Sequence, residues 1–149
     1  MKKHLRLVPS SPAARRGNAA RPGAAVVEFA VLAPLLFLLI FGMIEYGRMV
    51  MVQQLITNAS REGARVAILE GKTNADVIDT VQEKLGSAVP CLDSDVTTNP
   101  ADITTAAGGE SVTVTVGVNF ADVSWLPDAF WLGGKRLTAS SAMRVETVQ

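Results

Sequence analysis

Residues 24–44 read AAVVEFAVLAPLLFLLIFGMI, a 21-residue apolar run broken by one acid, Glu28, and one proline, Pro34. As a helix it extends about 31 Å, close to the hydrocarbon thickness of a bilayer, so it can span one. The positive mean hydropathy of the chain is concentrated in this run instead of being spread through a soluble core.

Charge is divided around the run. The 14 basic and 14 acidic residues cancel only in total. Lys2, Lys3, Arg6, Arg15, Arg16 and Arg21 precede the run without a single acid, so the arm carries +6 and the remainder −6. Lys and Arg are held on the cytoplasmic side, whereas acids contribute little to orientation. The arm is therefore expected inside and the acidic body outside. A nucleic-acid-binding arm is the competing reading, but the adjoining apolar run favours the membrane and no nucleic-acid partner. A cleavable signal peptide is disfavoured because the run is too long and meets Glu45, Tyr46, Gly47 and Arg48 without an A-x-A-like site. A lipobox fails because Cys91 lies far downstream behind Val89 and Pro90. The expected organisation is a basic leader over 1–23, a transmembrane helix over 24–46, its continuation over 47–70, and a small α+β domain over 71–149.

The junction Arg21-Pro22-Gly23-Ala24-Ala25-Val26-Val27-Glu28-Phe29 carries the sharpest signal. A carboxylate inside an apolar helix costs roughly 2.5–3.5 kcal/mol at the bilayer centre and less near the interface, so Glu28 calls for a partner or a function. Cutting the chain after Gly23 would create an amine on Ala24 one helical turn from Glu28, able to neutralise it within one chain or between neighbours. Snorkelling at the end of an anchor is the plain alternative.

A Gly, four mostly apolar residues, then Glu and an aromatic, after basic residues and before a hydrophobic helix, resembles the prepilin-peptidase site of Flp-type pilins and pseudopilins. Three blocks continue the pattern: 28–35 (EFAVLAPL), 41–48 (FGMIEYGR) and 58–65 (NASREGAR). Together they resemble the TadE-like family of tight-adherence (Tad) pilus assembly proteins, over residues of about 16 to 68. The resemblance implies cleavage after Gly23 by a TadV-like prepilin peptidase, with Ala24 as the new terminus and Glu28 and Phe29 as the recognition and assembly pair. It places Arg15, Arg16 and Arg21 in the leader and marks Gly42, Glu45, Tyr46, Ala59 and Gly63 for helix packing. Phe29, where major pilins carry Tyr, and the length of the chain favour a pseudopilin or minor pilin. Implied partners are other pseudopilins or pilins and inner-membrane Tad platform proteins, in an oligomer or complex.

Along the helix, Glu45 reads as a hydrated boundary residue paired with Arg48 at i+3. Pro34 removes a backbone donor, so a kink or loosened turn is expected there, or simple tolerance in a membrane helix. Met49, Val52, Ile56, Ala59, Gly63 and Val66 recur at 3-4 spacing, a stripe for burial against the chain's own domain or against a partner pseudopilin. Small Ala59, Gly63, Ala64 and Ala67 permit close approach. The sequon at Asn58-Ala59-Ser60 is discounted on a helix of bacterial character.

Gly71 is read as the end of this helix. Thr73 and Asp76 form a capping box for a second helix with Ile78, Val81 and Leu85 on its apolar face and Gly86 as its stop. Residues 87–110 read as loop. Val112, Val114, Val116, Val118 and Phe120 alternate with polar or small residues as one strand, and Leu137, Ala139, Ser141, Met143 and Val145 as another, introduced by Gly133-Gly134. The expected fold is α+β and pilin-like: a long N-terminal transmembrane helix leading into a short helix and an antiparallel sheet.

Chemical groups are scarce. One cysteine excludes an internal disulfide, and one histidine, His4 in the leader, leaves neither a zinc set nor a base for a Ser or Cys nucleophile. Asp93 and Asp95 lack the Gly and late Glu of a calcium loop and read as solvated acids. Trp125, Phe130, Trp131 and Leu132 around Pro127 read as core fill, with partner or bilayer contact as the alternative. The expectation is a membrane protein with no cofactor, no metal and no enzymatic activity, acting by helix association. The rival is an uncleaved, membrane-anchored binding domain that uses 87–149 to hold a ligand.

Overall fold

A computed structural model describes residues 22–125 and 134–146. The elements are helix α1 (Pro22–Ala67), helix α2 (Asn74–Leu85), and strands β1 (Val96–Asn99), β2 (Ser111–Asn119) and β3 (Arg136–Arg144), with short 3-10 turns between them. The fold is α+β, as the sequence implies. The chain divides into two compact units between Leu36 and Phe37.

α1 opens on Pro22, whose fixed φ suits the first helical position and whose missing N–H costs nothing there. It remains helical at Pro34. None of its apolar window is buried, and it is long and apolar enough to cross a membrane. α1 ends at Ala67 and not at Gly71. The chain turns through Leu69 N–H to Val66 O (3.0 Å), and Gly71 serves that turn with φ 76°, a left-handed value that a Cβ would strain.

Within the second unit, the 3-4 stripe of α1 is buried against the chain's own domain. Val52, Ile56, Ala59, Gly63, Ala64 and Ala67 are buried, with Met49 and Val66 partly so. Opposite them lie Val77, Val81 and Leu85 of α2 and the inward face of the sheet. Gly63 sets the spacing. A Cβ there would stand 2.8 Å from Val81 Cγ2, 3.3 Å from Val114 Cγ1 and 3.5 Å from Val77 Cγ1, so α2 and β2 both close on α1 at a residue without a side chain.

α2 starts at the expected capping box. Asp76 N–H points to Thr73 Oγ1 (3.5 Å), and Asp76 Oδ2 accepts from Thr73 N–H (2.9 Å) and Oγ1 (2.9 Å). Lys72 Nζ adds an ion pair to Asp76 Oδ1 at 3.1 Å. These bonds, that from the Thr73 backbone foremost, lower the Asp76 pKa to about 2. Gly86, at φ 55°, closes the helix.

The sheet is antiparallel, in the order β1-β2-β3. Val112, Val114, Val116 and Val118 face inward and are wholly buried, each removing enough apolar surface from water to contribute roughly 1.5 kcal/mol or more. Leu137 and Ala139 of β3 and Val96 of β1 complete that face. Register pairs Val116 with Ala139 and Val96, which keeps every inward residue on one side. Phe120, expected as the last strand residue, begins a 3-10 turn but remains fully buried. On the outer face Thr115 and Ser140 hydroxyls meet at 2.7 Å. Arg136 lies across Gly117, donating from Nη2 to Gly117 O (3.2 Å) and Asp95 Oδ1 (2.9 Å). Asp95 is thus an ion-pair partner instead of a solvated loop acid.

Residues 87–110 are not all loop, because β1 lies within them. Its four residues bury only Val96, too few to show alternation, and Pro100 follows at once. At the other sheet edge α1 contributes directly. Gln53 Nε2 donates to Thr138 O (3.0 Å), and Ser60 Oγ meets Ser141 Oγ at 2.9 Å. Ser60 is fully buried, which sets aside the sequon at Asn58. Of the aromatic segment, residues 126–133 lie outside the described residues, Phe130, Trp131 and Leu132 among them, and Gly133 too.

Gly63→Ala is expected to overpack the contact with Val81 and lower stability by about 1–3 kcal/mol, read as a lower denaturation midpoint of the detergent-solubilised chain. For Asp76 the folded pKa lies below the ordinary aspartate value of 3.8, so its stabilisation is complete above that value and is lost as pH falls through about 2. Amide exchange in the first turn of α2 should accelerate across that window in the wild type, whereas Asp76→Asn should already exchange fast above it.

Candidate functional site

Two stretches of α1 hold the residues singled out by sequence, and they lie in different units. The first is the opening of the helix. Gly23, Ala24, Glu28 and Phe29 are all helical and exposed, and Glu28 stands among exposed Val26, Val27 and Phe29. Among the described residues the Glu28 side chain has no hydrogen bond or ion pair. Among the described residues no atom lies within 4 Å of a Cβ built on Gly23, so their packing does not demand glycine there. Leader residues Arg15, Arg16 and Arg21 lie outside the described residues.

The second stretch follows the apolar run. Gly42 and Tyr46 are exposed, with no atom near a Cβ built on Gly42. Glu45 differs from the expectation. It is 4% exposed, it accepts a hydrogen bond from Ser124 Oγ, and it forms no pair with Arg48. Its Oε2 has no hydrogen-bond partner among the described residues. Arg48 instead donates from Nε to Val123 O (3.1 Å) and from Nη2 to Ala88 O (3.0 Å), while its guanidinium lies 5.0 Å from the centre of the Trp125 ring. Trp125 is exposed and not core. The reason is local: Val123 takes the buried position in this turn, and the ring beyond it turns out over Arg48.

Glu45 and Arg48 therefore fasten two remote turns, 86–88 and 120–125, to α1. Sequence reasoning missed this because the partners are 40 to 79 positions away. The only signal was two charged residues set one turn apart just after an apolar run. Further along, Ala59 and Gly63 occupy the buried seam with α2 and β2.

Elsewhere the chemistry is thin. Burial pushes the Cys91 thiol up, and Asp95 and Asp93 add to the shift, so the free thiol stays protonated and weakly nucleophilic. Among the described residues no group of three His, Cys, Asp or Glu could hold a metal ion. An open depression of about 900 Å³ at the C-terminal end of α1 is lined by residues such as Arg65, Leu69, Ile103 and Glu146, without a nucleophile beside a base.

An apolar helix followed by a small α+β domain clasped to its later turns fits a single-pass membrane protein. Residues 23–65 match the model of the family described as TadE-like protein, the family that the three sequence blocks resemble. The match begins at Gly23, ends two residues before α1 does, and leaves α2 and the sheet outside it. It suggests a role associated with the Tad pilus, and the family is one of pilus components and not of enzymes. No curated protein and no solved structure is a match.

Arg48→Ala removes the donor to two backbone carbonyls together with the ring contact. It is expected to cost about 1–3 kcal/mol and to speed amide exchange in 120–125 more than in β2. Hydrogen-exchange mass spectrometry in detergent micelles reads both effects.

Proposed function

We propose that this chain is a pseudopilin or minor pilin of a Tad/Flp pilus assembly and secretion system, inserted through α1 and processed after Gly23 by a TadV-like prepilin peptidase. The observation that carries the reading is the family match that opens at Gly23, with an acid five residues on in an apolar helix surface. The leader stays in the cytoplasm of a bacterial cell because its six basic residues are held there, and the domain after the inner-membrane span is extracytoplasmic. Cleavage leaves residues 24–149 and places a positive amine one turn from Glu28. That amine, on the same chain or a neighbour, relieves the cost of the acid in lipid and sets the register of packed helices. The protein works by association with other pilins or pseudopilins and with platform proteins, without turnover.

In cells bearing the peptidase, N-terminal sequencing of the membrane-extracted protein is expected to begin at Ala24. Gly23→Ala should slow processing without disturbing the fold, since no described residue crowds a methyl group there. Glu28→Gln should insert normally but enter assemblies poorly. A mature chain that still begins at Met1 returns the alternative of an uncleaved, tethered binding domain. Full pilus formation by Glu28→Gln removes the amine pairing.

A further inference from the structure

Trp125 is the one described aromatic ring beyond α1 that is left open to solvent, at 71% exposure. Elsewhere past residue 51 only Leu69 and Leu92 among the described large apolar side chains are exposed, while the valines and Phe120 are sealed inside. The ring is also fixed in place. Arg48 holds it from below and is itself tied to the carbonyls of Val123 and Ala88. Tyr46 and Met51, both exposed, lie on the same stretch of α1, and Arg48 Nη1 reaches Met51 Sδ at 3.9 Å.

The level of this group along the helix identifies what meets it. The apolar run ends at Ile44, and Arg48 is four residues later, about 6 Å along the axis. Beyond a hydrocarbon core of about 30 Å, the polar headgroup layer of a bilayer adds about 5–7 Å on each side. Tyr and Trp prefer that layer, where the ring is half in hydrocarbon and its polar edge is wet, and an arginine there finds lipid phosphate. Resting on the single-pass reading of α1, we infer that the Trp125 turn is a membrane-interface anchor: the ring, backed by Arg48, is seated among phospholipid headgroups of the leaflet at which α1 emerges, with Tyr46 at the same level of the helix. The anchor holds the domain against the bilayer at a fixed height, so its occupant is lipid and not a second protein.

The full chain, reconstituted alone in phosphatidylcholine vesicles, tests this with Trp131→Phe so that Trp125 is the sole indole. Its emission is expected to be blue-shifted and quenched more strongly by lipid spin-labelled at the headgroup than by lipid labelled near the chain ends. Should Trp131→Phe not fold, the difference between wild type and Trp125→Phe supplies the same spectrum. A fluorophore on Leu38→Cys in a Cys91→Ser background reports the span itself and should be quenched by the deep label. Deep quenching at position 38 with Trp125 quenched only by aqueous iodide overturns the anchor and leaves the single-pass reading standing. Trp125 shielded from both iodide and headgroup label means a protein covers it, which also overturns the anchor. Loss of quenching at both positions overturns the span and the anchor together.

Discussion

The domain depends on how closely α1 can approach its neighbours at Gly63. α2 and β2 converge there on bare backbone, with Val81, Val114 and Val77 filling the volume a side chain would have taken. A close-packed interior tolerates neither a void nor an extra methyl group at such a point. The spacing fixed at Gly63 lets Val52, Ile56 and Ala59 on one side of α1 and Leu85 of α2 reach the same core. The core is largely valine, whose branched side chains have little rotamer freedom to lose when they are ordered.

A second attachment lies nearer the apolar run and is polar. Burying Glu45 has a desolvation cost that the bond from Ser124 offsets only in part, since the second oxygen lacks a partner among the described residues. Arg48 contributes charge-assisted bonds to two backbone carbonyls that would otherwise face water or lipid. The family match over residues 23–65 takes in Glu45, Arg48 and Gly63 on α1 and stops short of the turns and elements they hold.

Features encoded by neighbours in sequence were legible. The span, the 3-4 stripe, the capping box at Thr73 and Asp76, and the alternation in β2 and β3 each need only a few consecutive residues to declare themselves. β1 was not, because four residues with one buried side chain carry no period. The burial of Glu45, the two carbonyls under Arg48 and the outward turn of Trp125 were not legible either. Each depends on chain that returns after 40 residues or more, and local patterning holds no record of that return. In the seam, Gly63 could be recognised as small, but not as the point where two different elements meet.

The hydrogen bond from Gln53 to the Thr138 carbonyl has a consequence for crowding. Among the described residues the sheet has β1 and β3 as its margins, where strand pairing between copies could begin. An acceptor already engaged by the protein's own helix is unavailable to an incoming strand, so grafting along β3 is interrupted near the start of that strand. The long helix thus acts as a guard on the sheet it supports, discouraging intermolecular strand pairing at that acceptor.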